Sequence, residues 1–283
     1  MKNMPAKSQE QYWSTDGGEI WLKNLKHFES MIEPIGQVLI QIAMSQTRSN
    51  VIDIGCGGGA TTLQLAELIG DTGSVIGLDI SKSLIAECRQ RAEQLRLLNV
   101  EFICGDAATI VFPDQWADLA LSRFGVMFFE EPIMAFMNIG NALKKNGAII
   151  FSCWGPIDEN PWMNELLKIL SDYTDLPKPE PGTPGPFAFA QPDYITTVIG
   201  SAGYSNIEII PWSGNLLIGS PGMDTVESVK FLLRSSALVQ NLKEALADVQ
   251  QDIFDRLVKK LDTYYKINGV YMPAKAWIVS ARR

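Results

Sequence analysis

Short apolar runs alternate with longer stretches of helical spacing through the first half of the chain. Residues 51–54, 74–79, 100–104, 117–122 and 148–154 each read as a strand, most of them short and apolar. Helices are expected at 60–69, 82–97 and 131–144, while the interval after Cys104 shows no clear helix. Alternation of this kind predicts a mostly parallel sheet covered by helices on both faces, wound in both directions from its middle. Upstream, residues 8–46 read as helical, with Ile32, Ile35, Val38, Leu39, Ile42 and Ala43 forming an apolar stripe. An aromatic cluster (Tyr12, Trp13, Trp21 and Phe28) precedes the stripe, and Asp16-Gly17-Gly18 predicts a turn within it.

Beyond residue 155 the regularity stops. A helix is expected at 160–176, a loop at 177–192 that holds six prolines, and a short helix at 193–202. A strand at 207–210 and helices at 224–243 and 244–262 follow, the first carrying Asp224 and Glu227 as a capping pair. A strand at 276–281 closes the chain and brings the expected sheet to seven.

The densest chemical signal is Val51-Ile52-Asp53-Ile54-Gly55-Cys56-Gly57-Gly58-Gly59, a strand running into glycines and then into a helix. Glycine accepts φ > 0 and lets the backbone approach a ligand closely. The free N–H groups of a helix start favour negative charge. Gly55-x-Gly57-x-x-Ala60 satisfies a dinucleotide fingerprint, whereas Asp53-x-Gly55-x-Gly57-x-Gly59 satisfies a different nucleoside-binding pattern. The glycines alone leave both open.

Composition narrows the partners. With 24 Lys+Arg against 32 Asp+Glu the formal net charge is -8, and no basic run exceeds a pair. A broad nucleic-acid surface or an anionic membrane surface is therefore disfavoured. The four cysteines (Cys56, Cys88, Cys104 and Cys153) form no C-x-x-C pair, and the only histidine is His27, so no structural zinc is expected. No apolar run approaches the roughly 20 residues that span a bilayer. The polar start Met1-Lys2-Asn3-Met4-Pro5 does not read as a signal peptide, so a reducing cytoplasm is the expected setting.

Two further acidic residues bear on the readings: Asp79 fits both, while Asp106, like Asp53, disfavours the dinucleotide one. Asp79 ends the second strand, where a carboxylate can accept from both hydroxyls of a ribose. The competing reading is a charge that favours the following helix start. Gly105-Asp106-Ala107 ends the third strand, a place where a dehydrogenase needs no acid. Next come Ala117-Asp118-Leu119-Ala120-Leu121-Ser122-Arg123-Phe124-Gly125-Val126-Met127-Phe128-Phe129 and Ala142-Leu143-Lys144-Lys145-Asn146-Gly147-Ala148-Ile149-Ile150-Phe151. Together with the glycine corner, these stretches resemble the class I S-adenosylmethionine-dependent methyltransferases, of the type 11 and ubiquinone/menaquinone-biosynthesis kind that act on small molecules. Asn146-Gly147 stands where that family often has a proline-glycine turn. The resemblance covers about residues 50–155.

The resemblance implies a doubly wound, Rossmann-like α/β domain of seven strands, with S-adenosylmethionine as cofactor and S-adenosylhomocysteine as product. Residues 1–46 would be a helical cap, 50–155 the cofactor-binding core, and 156–283 an acceptor-side cap with a helical insertion and the closing strands. Asp53, Gly55, Cys56, Gly57 and Gly59 would shape the pocket under the methionine portion. Asp79 would bind ribose, Ile80 would pack against adenine, and Asp106 and Ala107 would read the adenine edge. Arg123 and Phe124 would sit beside the methyl group, Arg123 orienting an anionic acceptor, and Trp13 with Tyr12 would cover the cofactor. The family's DNA-methylating Asn/Asp-Pro-Pro-Tyr is missing after the fourth strand, as are paired glutamates of the protein-arginine type and clustered ligands of the catechol type. A small-molecule acceptor without a metal is implied. The aromatics of the cap, Phe187 and Phe189 among them, suggest that this acceptor is partly apolar.

His27 is the sole imidazole that could act as a base; its rival role is a surface or core-edge side chain. For Cys56, a thiolate favoured by the helix start competes with a small residue packed between glycines. A nicotinamide-dependent oxidoreductase and a catalytically silent S-adenosylmethionine-binding protein are the alternative functions.

Overall fold

The computed structural model describes residues 8–46, 49–176, 180–236 and 247–283. The strands are β1 (Asn50–Ile54), β2 (Ser74–Asp79), β3 (Val100–Cys104), β4 (Ala117–Arg123), β5 (Leu143–Trp154), β6 (Ser205–Leu217), β7 (Tyr265–Lys266) and β8 (Gly269–Arg282). Their order is β3-β2-β1-β4-β5-β8-β6, with β7 paired to β8 off this path. Pairs within β3-β2-β1-β4-β5 are parallel, while β8 runs antiparallel to both β5 and β6. The seven expected strands are present, and β7 is a two-residue addition.

The helices are α1 (Gln9–Tyr12), α2 (Gly18–Lys23), α3 (Leu25–Ser45), α4 (Ala60–Ile69), α5 (Lys82–Leu95), α6 (Pro132–Ala142), α7 (Pro161–Leu170), α8 (Pro192–Ser201), α9 (Thr225–Ser235) and α10 (Ala247–Asp262). Ile52, Leu119, Ile149 and Phe151 are wholly buried in the centre of the sheet, as strands covered on both faces require. The order in which strands are added reverses at β1, whose neighbours are β2 and β4. A crevice at the carboxyl ends of β1 and β4 is where such sheets place ligands.

Several expected elements shift. The turn expected at Asp16-Gly17-Gly18 is instead a π-helical turn (Trp13–Gly17) that runs straight into α2. A Cβ on Gly17 would collide with the Tyr12 ring, and one on Gly18 with Ser81 Oγ, so these glycines serve close packing rather than chain reversal. The bend falls later, at Asn24. β6 and β8 extend to 13 and 14 residues, far past the runs at 207–210 and 276–281. Pro211 and Gly214 look like breakers, yet β6 is an edge strand, where a missing N–H is tolerated. The helix expected to reach 176 ends at Leu170. The two expected helices at 224–243 and 244–262 correspond to α9 and α10, and their junction lies outside the described residues.

Candidate active site

The glycine corner is built from backbone. Gly55, Gly57 and Gly59 have φ of +66°, +57° and +84°. That region costs an L-residue roughly 1–2 kcal/mol. A Cβ on Gly55 would lie 2.8 Å from the Cα of Gly125, which follows β4. The Ser122 hydroxyl donates to the Ile54 carbonyl at 2.7 Å and accepts from the Gly125 N–H at 3.2 Å. Ser122 and Gly125 therefore stitch the end of β4 to the end of β1. Sequence reasoning gave them no role, because the partner lies 68 residues away. Gly59 caps α4 without a side-chain hydrogen bond, so no capping side chain covers the first amides of that helix.

Three acids stand at successive strand ends. Asp79 accepts from the Gly57 N–H and the Ser81 N–H, both at 2.9 Å, and so ties the glycine loop to the start of α5. Burial pushes its carboxyl up to about 6, against the pull of those hydrogen bonds. Asp53 is wholly buried and accepts from Thr62 Oγ1 at 2.7 Å, while its Oδ1 has no hydrogen-bond partner among the described residues. Its carboxyl is also raised to about 6, chiefly by burial. Asp106 accepts from the Ala108 N–H at 2.9 Å, and the Gly105 N–H donates to the Asp79 carbonyl at 3.0 Å, which locks the exit of β3 beside that of β2. Ala107 is buried and Ile80 half-buried alongside. Asp53, the glycines, Asp79, Ile80, Asp106 and Ala107 thus converge on one edge of the sheet.

Other candidates lie elsewhere or act differently. Phe124 follows β4 with φ +62°, is buried and stacks on Trp154 at 4.0 Å. Cys56 is buried, and a hydrogen bond with Cys88 together with burial pushes its thiol up, so no thiolate forms there. His27 Nδ1 lies 2.7 Å from Ser220 Oγ and its ring packs on Phe231. On the same helix, Leu25 and Glu29 face Gly58, so the imidazole turns away from the corner. Phe189 packs in the core against Phe136 and Phe151; Phe187 packs on Trp162, which in turn packs on Trp154.

The N-terminal segment lies over the corner. A Cβ on Gly57 would come 3.4 Å from Trp21 Nε1, and one on Gly58 2.5 Å from Leu25. Trp13 packs on Phe128 at 4.8 Å and on Trp21 at 6.1 Å, and its buried indole N–H has no hydrogen-bond partner among the described residues. The Gln9 N–H donates to Glu130. The segment therefore reaches from Ser81, after β2, to Glu130, after β4. Sequence placed Tyr12 and Trp13 in this role and missed Trp21 and Leu25, whose contacts need the fold of α2 and α3.

A side-chain-free corner, an orphaned buried carboxylate oxygen and an orphaned indole N–H fit a nucleoside that carries hydrogen-bonding groups of its own. Comparisons with known proteins agree. Residues 45–178 match the model of a methyltransferase domain. The chain is 34% identical over 119 residues to aklanonic acid methyltransferase DauC of Streptomyces sp. (strain C5), covering 42% of this chain and 54% of that one. It is 30% identical over 105 residues to a demethylmenaquinone methyltransferase of Geobacillus sp. (strain WCH70), covering 37% and 45%. The chain thus spans about half the length of the curated relatives it matches. The fold also matches a Haemonchus contortus phosphoethanolamine N-methyltransferase solved with S-adenosylhomocysteine, with a TM-score of 0.58 at 18% identity over 98% of this chain and 60% of that one. The matched stretch, residues 45–178, is thus similar to a methyltransferase domain, and it holds the glycine corner with Asp53, Asp79 and Asp106.

Proposed function

We propose that this protein moves a methyl group from S-adenosylmethionine to a small, partly apolar acceptor in the cytoplasm. The observation that carries the reading is the convergence of Asp53, Asp79 and Asp106 at one sheet edge around a glycine loop that Asp79 itself fastens. Asp79 and Asp106 are the groups to hold ribose and adenine, and Asp53 lies beneath the methionine portion. S-adenosylmethionine supplies the activated methyl on a sulfonium, so the hardest chemistry resides in the cofactor. The chain's residues supply orientation: holding acceptor and methyl carbon in line is worth roughly 7–11 kcal/mol of barrier. Trp13 and Trp21, closed over the corner, exclude water, and an aromatic face suits a sulfonium.

A base is not required where the acceptor ionises easily, which accords with His27 being held by Ser220. An apolar acceptor is supported by the aromatic series Phe124, Trp154, Trp162 and Phe187 beyond the end of β4. Four free cysteines suit a reducing compartment.

The test has two arms. Calorimetry should show S-adenosylhomocysteine binding to the purified protein; absence of heat would overturn the cofactor reading. A panel of phenolic, carboxylic and quinol acceptors, followed by release of S-adenosylhomocysteine, should reveal turnover. Turnover confined to small polar acceptors would overturn the apolar-acceptor reading.

A further inference from the structure

The glycine loop is held through its carbonyls as well as through its amides. Cys88 Sγ donates to the Gly57 carbonyl and Arg91 Nη1 to the Gly58 carbonyl, each at 3.1 Å. Both donors belong to α5, three residues apart and so on one face. A trans peptide is planar, with its carbonyl opposite the next N–H. Fixing the Gly58 carbonyl therefore fixes the Gly59 N–H, which donates to the Cys56 carbonyl at 3.0 Å.

These anchors matter because Gly57-Gly58-Gly59 has no side chains of its own to hold it, and glycine loses more freedom on ordering than any other residue. Asp79 and Cys88 both act on Gly57, whereas Arg91 is the charged group that holds Gly58. The same Nη1 also donates to Glu29 Oε1 on α3 at 2.8 Å, and Nε donates to Glu87 Oε1, one turn back on α5, at 2.8 Å. One nitrogen thus joins the loop to the N-terminal helices that cover it. Arg91, Glu29 and Glu87 are 27%, 20% and 28% exposed, too sheltered for water to screen these bonds away. Arg91 is not needed to seat its helix, since Leu84, Ile85, Cys88 and Ala92 bury the inner face of α5. Arg123, the other guanidinium close to the corner, lies instead against Gly36 of α3, where an added Cβ would come 2.8 Å from its Nη1, and feels the charge of Asp53.

We propose that Arg91 is a positioning residue for cofactor binding: it ties the Gly58 carbonyl to Glu29, so that the glycine loop and the helices over it hold the cofactor as one unit. Arg91 acts through the loop and touches no ligand itself. This rests on the methyltransferase reading above, and adds to the corner a residue on α5 that no strand-end motif marks.

The test is calorimetry with S-adenosylhomocysteine on the full chain and its variants, read beside their melting temperatures. Arg91→Met keeps an unbranched stem and removes the donors; affinity should fall about tenfold while the melting temperature stays within about 4 °C of wild type. Arg91→Lys should bring affinity back to within about threefold, because one ammonium has donors enough for both the Gly58 carbonyl and Glu29. Glu29→Ala alone should weaken binding about threefold and add nothing to Arg91→Met, since both act through one nitrogen. Unchanged affinity in Arg91→Met, equal losses in Arg91→Met and Arg91→Lys, or a lower melting temperature with affinity intact would overturn the positioning role. If Arg91→Met does not fold, Glu29→Ala decides: a loss of about threefold at native melting temperature supports the role, and unchanged affinity overturns it. If the wild type itself binds no S-adenosylhomocysteine, the cofactor reading fails and the positioning role falls with it.

Discussion

The corner around β1 and the cap beyond β5 solve opposite problems. The corner is polar and held by backbone: Gly57, Ser81, Gly125 and Ala108 each donate an amide to a side chain close in space. The cap is apolar and held by ring contacts, from Trp154 through Trp162 to Phe187. Hydrogen bonds are directional, so the corner fits one ligand geometry closely. Apolar contact is non-directional, so the cap can be re-formed for different acceptors without disturbing the corner.

Variants should separate the two regions. Gly55→Ala should have the largest effect, because it combines a positive φ with a backbone clash against Gly125. We expect about 2–4 kcal/mol of lost stability and no detectable S-adenosylhomocysteine binding, read by urea denaturation and calorimetry. A pH series comes next. Asp53 and Asp79 titrate near 6 in the folded chain, against an ordinary carboxylate value of about 3.9 when unfolded. Between about pH 4 and 6 the native state holds more protons than the unfolded one, so stability falls as pH rises through that window. Asp53→Asn should flatten this slope by roughly 1–3 kcal/mol, measured as melting temperature against pH.

Asp79→Ala should weaken S-adenosylhomocysteine at least about tenfold, roughly 1.4 kcal/mol. Unchanged affinity would dismiss its ribose role and leave only the fastening of the loop. On the other side, Phe187→Leu should raise the acceptor KM by about threefold while cofactor affinity stays the same, with about 1 kcal/mol of stability lost. Equal effects on both ligands would dissolve the distinction between the regions. The smallest change is His27→Ala: about 1 kcal/mol from the lost contact with Ser220, and an unaltered pH profile of methyl transfer.

How far each region could be read from sequence follows from the range of its contacts. The glycine corner, Asp79 and Asp106 are legible because each function sits at a strand end, set by neighbours within a few residues. Arg123 was visible as a candidate, but its place against Gly36 depends on packing across 87 positions of chain. Phe189 looked like a pocket residue because it follows a proline-rich stretch; its burial against Phe136 and Phe151 needs the loop to fold back over the sheet. The sequence shows only 207–210 of β6 as a strand; Pro211 and Gly214 disfavour a central strand, and sequence alone does not say which strand is an edge. Ser122 carried no signal of its own, since serine is ordinary at a strand end until its partner is known.

The clasp made by Gln9 with Glu130 and by Gly18 with Ser81 spans both banks of the crevice. A molecule that left the crevice past residues 9–23 would have to break these contacts. By that route, observed affinity would be the intrinsic value scaled by the open fraction. Shortening the chain from its amino end should therefore quicken ligand departure and expose the labile methyl donor to wasteful attack by water.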